Sequence, residues 1–78
     1  MNWVKQNRIT RQHTGKFYQD KDGCIGEAVH FWGWGGVDLL FENHTTAVFA
    51  IGDVVAVEPP QNAADFAAIT FDEYGAPH

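Results

Sequence analysis

The stretch Ile25-Gly26-Glu27-Ala28-Val29-His30-Phe31 decides the fold, together with Val37-Asp38-Leu39-Leu40-Phe41-Glu42-Asn43 beyond a glycine-rich break. Apolar and polar residues alternate through both runs at a period of two, and no helical stripe competes with that period. Ile25, Val29 and Phe31 fall on one face, with Glu27 the exception among them, while His30 and Trp32 fall on the other. Val37, Leu39 and Phe41 alternate with Asp38, Leu40 and Glu42. The pattern predicts two strands separated by Gly33-Trp34-Gly35-Gly36.

Working outward, Thr45 to Ile51 and Val54 to Glu58 are rich in the β-branched and aromatic residues that strands favour. Glu42-Asn43-His44-Thr45 reads as a hairpin link in which Asn43 tolerates left-handed backbone angles. Gly52-Asp53 separates the last two apolar runs, and Pro59-Pro60 stops the final strand, since proline cannot donate to a ladder. Trp3 to Arg11 is the remaining strand candidate, ending in Ile9-Thr10-Arg11, and Thr14 to Gly23 reads as a long loop. Past the prolines, Asn62 is placed to cap a short helix over residues 63–68; alternatively Ala68-Ile69-Thr70-Phe71 adds an edge strand. Asp72 to His78 reads as a loose end. The expectation is an all-β chain: one domain over residues 1–78, a small barrel of about five strands, with 61–78 as a peripheral helix or extended tail.

The chain has 78 residues and a thin core follows from that size. Cys24 is the only cysteine, so no disulfide within the chain supports the fold, and a reducing, cytoplasmic setting is expected. Oligomerisation is then the support to look for. The longest apolar runs, Ala47 to Ile51 and Val54 to Val57, are strand-sized, so no membrane span or signal segment is expected.

Net charge is −5, unevenly spread. Lys5, Arg8, Arg11, Lys16 and Lys21 are all the basic residues, and with Asp20 they give the first 21 positions a charge of +4. Residues 22–78 hold nine acids and no Lys or Arg. Blocks like these suit a basic arm for anions or an acidic face for a basic partner; packed together, they offset each other within the fold.

Gly23-Cys24-Ile25-Gly26-Glu27-Ala28-Val29 and Val37-Asp38-Leu39-Leu40-Phe41-Glu42-Asn43 resemble the second and third strands of KOW-like and related SH3-like families. Ala47-Val48-Phe49, Asp53-Val54 and Val57-Glu58-Pro59 resemble their closing segment, so the likeness covers about residues 23–60. It implies an SH3-like barrel, and function does not follow from so widely used a fold. KOW-type domains bind RNA or ribosomal proteins with basic surfaces, yet the matched region here has no Lys or Arg. The type II dihydrofolate reductases are SH3-like chains of similar length. Their V-Q-I-Y strand would fall near Ala47-Val48-Phe49-Ala50, which has neither glutamine nor tyrosine, so their activity is not carried over.

Trp32-Gly33-Trp34-Gly35-Gly36, beside His30 and Phe31, is the most distinctive feature. Tryptophan combines large contact area with a hydrogen-bonding handle and concentrates at binding hot spots. The competing reading has one tryptophan plugging the barrel and the other half-buried.

Cys24 has no local nucleophile signature and is expected as a small buried thiol. The histidine spacings fit no metal site, with His13 and His44 read as loop residues. Asp20, Asp22 and Gly23 lack the rest of a calcium loop, and the glycines form no phosphate loop. Glu27, Asp38 and Glu42 read as charges on the outer face of a sheet.

The reading is therefore a non-enzymatic binding module without cofactor or metal. His30, Phe31, Trp32, Trp34 and Asp38 form its protein-binding site, with an acidic rim. One alternative is an oligomer with a small-molecule or enzymatic cleft between subunits. Another is nucleic-acid binding through Lys5, Arg8, Arg11 and Lys16, disfavoured by the acidic remainder.

Overall fold

A computed structural model describes residues 9–78. The centre of the molecule is β2, Ile25–Phe31, the longest strand. It pairs antiparallel with β1, Phe17–Gln19, on one side and β3, Gly36–Leu40, on the other. β4, Thr46–Ala50, extends the sheet beyond β3, and β5, Val55–Val57, pairs with β1. The order β4-β3-β2-β1-β5 is antiparallel throughout, as an all-β chain with tight turns requires. A helix α1, Ala63–Ala67, follows.

Three sequence expectations change here. The expected barrel is an open sheet, with β4 and β5 as separate edges. Closure needs strands long and tilted enough for the edges to meet, and β1 and β5 have three residues each. Secondly, no strand covers Ile9–Arg11, and residues 3–8 lie outside the described ones. The strand between β2 and β5 lies instead in the stretch read as a loop, where Phe17-Tyr18-Gln19 is too short for its alternation to register. Thirdly, the end is tied down: Asp72 Oδ1 accepts from the Tyr74 and Ala76 amides, and the His78 amide donates to Thr70 O.

The turns show why these residues punctuate the chain. Asp20 Oδ1 accepts from the amides of Asp22 and Cys24, at 2.9 Å each, and Gly23 takes φ of 87°. This aspartate-led turn drives β1 into β2. In the β3–β4 link it is His44, at φ 68°, that enters the left-handed region expected of Asn43. The Asn43 side chain instead accepts from the Thr45 amide and hydroxyl. Asn62 likewise precedes α1 without capping it, because its amide donates to Glu42 at 2.8 Å.

Both sheet faces are covered. Ala28, Val37, Leu39 and Val54 form one cluster, flanked by Tyr18, Phe41 and Phe49. Val29, Leu40 and Ile69 form the other, flanked by Phe71. Phe66 of α1 meets Phe17 edge to face at 5.3 Å. The segment after the prolines thus covers a sheet face that alternation alone leaves half polar.

A β-bulge between Ala28 and His30 alters the alternation read from sequence. Ala28 pairs with Leu39, and His30 pairs with Asp38, so Val29 is the extra residue. Val29 joins the Leu40 cluster, and His30 follows on the same face. Phe31 therefore lies on the opposite face from Val29, beside Val37, because two residues of a bulge oppose one on the partner strand.

Candidate functional site

Three regions hold the chemistry-bearing side chains. The first lies on the sheet face of Val29 and Leu40, onto which Arg11 and His13 reach from a segment hydrogen-bonded along β2 at Gln12 and Lys16. Asp38 is fully buried and Glu27 is 2% exposed, so neither lies on an outer charged face as expected. Burying a carboxylate demands partners, and that segment supplies them. Arg11 Nε donates to Asp38 Oδ2 at 2.6 Å, and its Nη1 donates to the Gly75 carbonyl. His13 Nδ1 donates to Glu27 Oε1 and Nε2 to the Ile69 carbonyl, both at 2.6 Å, while the Gly15 amide donates to Glu27 Oε2. Asp38 Oδ1 alone lacks a partner.

Partial burial lowers the His13 pKa, but the hydrogen bonds to Glu27 and Ile69 and the Glu27 charge outweigh it, leaving a net rise. With a carbonyl and a carboxylate both accepting, the doubly protonated imidazolium is the form of the ring that makes both bonds, in keeping with its raised pKa. Each of these groups is spent on another. The arrangement fastens the segments around Arg11–Gly15 and Ile69–Gly75 to the sheet.

The second region is the aromatic loop. Trp34 is 64% exposed, and its indole lies over Gly36, where any Cβ would overlap it. Gly36 pairs with Ala50 across the β3–β4 ladder, and Val48, two residues along, pairs with Asp38. Strand alternation places Val48 and Ala50 on the side where the indole lies, and both are exposed. Ile51, also exposed, donates its amide to Gly35 O. Trp34, Val48 and Ala50 thus form an apolar strip along the free β4 edge.

The other residues singled out in the sequence are placed elsewhere. Trp32 is half-buried, with His30 edge-on at 4.6 Å, and its Nε1 is buried without a partner. His30 Nδ1 meets the Thr10 carbonyl at 3.0 Å. Phe31 is exposed on the face opposite Val48, with Lys16 Nζ 6.0 Å from its ring. Asp38 belongs to the buried network, so it contributes nothing to an acidic rim. Arg11, expected on an anion-binding arm, is held by Asp38; Lys5 and Arg8 lie outside the described residues.

The third region is a cleft of about 630 Å³ at the far end of the sheet from the Trp34 loop. It opens between the β1–β2 turn, the β3–β4 turn and the Pro60–Phe66 segment. Ile25, Phe41, Phe49 and Phe66 give it apolar walls, and Asp20 and Glu42 stand among its polar lining. Cys24, expected buried, is an exposed free thiol in this lining.

Sequence reading had no signal for the cleft, whose walls come from four separated segments. It did hold a signal for the network: Glu27 and Asp38 interrupt otherwise apolar strands, as partnered buried carboxylates do. Among the described residues, no cluster of His, Cys, Asp and Glu is arranged to hold a metal ion, and no helix is long and apolar enough to cross a membrane. No protein family, curated protein or solved structure matches the chain.

Proposed function

We propose that this chain is a non-enzymatic binding module that takes an extended segment of a partner protein along the free edge of β4. The observation that carries the reading is the exposed Trp34 indole, held over Gly36 beside exposed Val48 and Ala50 on β4, whose outer edge has no strand partner among the described residues. An open edge offers a row of backbone groups to an incoming strand, and neighbouring side chains supply selectivity. Tryptophan adds the large contact area typical of interface anchors. The strand order supports reading the fold as an opened relative of the SH3-like barrel.

Binding is favoured over catalysis by how the polar groups are used. Both His13 nitrogens are bonded within the fold, and Arg11 is committed to Asp38 and Gly75. His13 has no ring nitrogen left for a substrate, and Arg11 is anchored through Nε and Nη1. Nucleic acid is disfavoured because Arg11 is withdrawn from any basic arm, and the residues beyond 21 carry no Lys or Arg. The lone cysteine supports a reducing, cytoplasmic setting.

The test compares capture of host proteins by the wild type with capture by Trp34→Ala, Val48→Lys and Val55→Lys, each checked for fold by circular dichroism. Val55 is exposed on β5, the opposite edge, and serves as control. A partner lost by the first two variants and kept by the third supports the reading. A partner kept by all three, or none captured by the wild type, overturns it. A second copy of the chain is the alternative occupant of this edge, and a dimeric solution mass abolished by Val48→Lys would establish it.

A further inference from the structure

We propose that the cleft between the β1–β2 turn, the β3–β4 turn and Pro60–Phe66 binds the guanidinium side chain of an arginine presented by a partner protein. This site meets β4 only at Phe49, without Trp34, Val48 or Ala50, and the proposal stands independently of the function proposed for that edge. Its volume, about 630 Å³, falls within the range of about 300–1,000 Å³ usual for ligand pockets.

The lining selects the occupant. Phe41 and Phe49 are half-buried and meet edge to face, with centroids 6.3 Å apart, offering aromatic surface to the cleft. Aromatic surface favours a cation or a planar π system, and a guanidinium is both. Asp20 and Glu42 add two carboxylates, and among the described residues no Lys or Arg lines the cleft to oppose an incoming cation.

The carboxylates are also held in place. Asp20 Oδ1 accepts from the Asp22 and Cys24 amides, while its Oδ2 has no hydrogen-bond partner among the described residues. Glu42 Oε2 accepts from the Asn62 amide, and its Oε1 likewise has none. Each side chain is thus oriented through one oxygen and open at the other. Such preorganisation lowers the ordering cost of binding, and charge-assisted bonds to arginine are among the stronger hydrogen bonds. A guanidinium has five N–H donors in a rigid fork for such open oxygens and a planar face for an aromatic ring. A phosphate-bearing partner meets repulsion at the same lining.

The experiment is an amide NMR titration of the full chain with Nα-acetyl-arginine methylamide, and with its citrulline counterpart as a neutral isostere. Shifts concentrated at residues 20–25 and 41–45, saturating at millimolar concentration for arginine and much weaker for citrulline, are expected. The double variant Asp20→Asn/Glu42→Gln retains a carbonyl oxygen for each existing bond and replaces the open, charged oxygen with a neutral amide NH2. It is expected to weaken arginine binding by about tenfold or more. The single variant Glu42→Gln, which leaves the β1–β2 turn untouched, is expected to give a smaller loss and replaces the double variant if that fails to fold. Absence of localised shifts with arginine overturns the proposal. So does equal response to citrulline, or affinity unchanged by removing the carboxylate charge in a folded variant.

Discussion

His13 joins Glu27 through Nδ1 at 2.6 Å while its Nε2 reaches the Ile69 carbonyl, so one ring ties the N-terminal segment and the C-terminal segment to the same central strand. Residues 13, 27 and 69 are far apart in the chain, and nothing but the folded sheet brings them together. Because the ring must carry both protons to make both bonds, its charge state sets how firmly those two segments are held.

Stability is expected to fall with rising pH on account of this ring. The folded His13 pKa is raised above the ordinary value of 6.5. The stabilisation is therefore complete below about 6.5 and is lost as pH climbs through the higher, folded value. Urea unfolding across that window is expected to show the decline, and His13→Gln to flatten it. An unchanged pH profile in His13→Gln would contradict the assignment. At the acid end the sign reverses. The Ala76 and Tyr74 amides and nearby His78 hold the half-buried Asp72 carboxyl below its ordinary value, so its turn weakens as pH falls through the folded pKa.

The Arg11–Asp38 pair is expected to be the most costly single interaction to break. Arg11→Ala leaves the fully buried Asp38 carboxylate without its cation, and removing one partner of a buried pair typically costs about 3–5 kcal/mol. Equilibrium unfolding is expected to show a loss of that order, enough to unfold a domain of this size. The double variant Arg11→Met/Asp38→Leu is expected to recover much of it, since no buried charge remains.

Gly36→Ala is expected to displace the Trp34 indole. The added methyl would occupy the space of the indole ring, while alanine is compatible with the strand itself. The Trp34 indole N–H resonance is expected to shift, and capture of the β4-edge partner to weaken as it does in Trp34→Ala. An unmoved resonance would mean that the ring does not rest on Gly36.

Native protein is expected to react with a thiol reagent at one equivalent per chain, without denaturant. Cys24 is the only cysteine and is exposed in the cleft lining. Reaction only after unfolding would place the thiol in the interior. Protection by the arginine probe is expected, since both occupy one cleft.

Much of the sheet was legible before any coordinates. β2, β4 and β5 fall within the runs whose alternation or β-branched composition marks strands, β3 starts one residue before its run, at Gly36 of the glycine-rich break, and Pro59 stands just beyond β5 and Glu58. β1 was not legible, because three residues show too little periodicity and its evidence is the pairing of Phe17 with Glu27 and Val57. The aromatic loop stood out in sequence through Trp34 and its glycines. Which face each aromatic takes did not, because the bulge at Val29 shifts every side chain beyond it.

What the sequence by itself determined was local. It set the period-two strands, the turns led by Asp20 and Asn43, the stop at Pro59-Pro60 and the uneven charge, each fixed by neighbours within a few residues. The tertiary structure decided what those residues face. It made Glu27 and Asp38 interior, held Arg11 and His13 against them, left the sheet open with β4 at an edge that no other described strand pairs, and assembled a cleft from four segments. The physical reason is that burial, ion pairing and edge pairing depend on groups distant in the chain, and only closure of the fold brings those groups within reach.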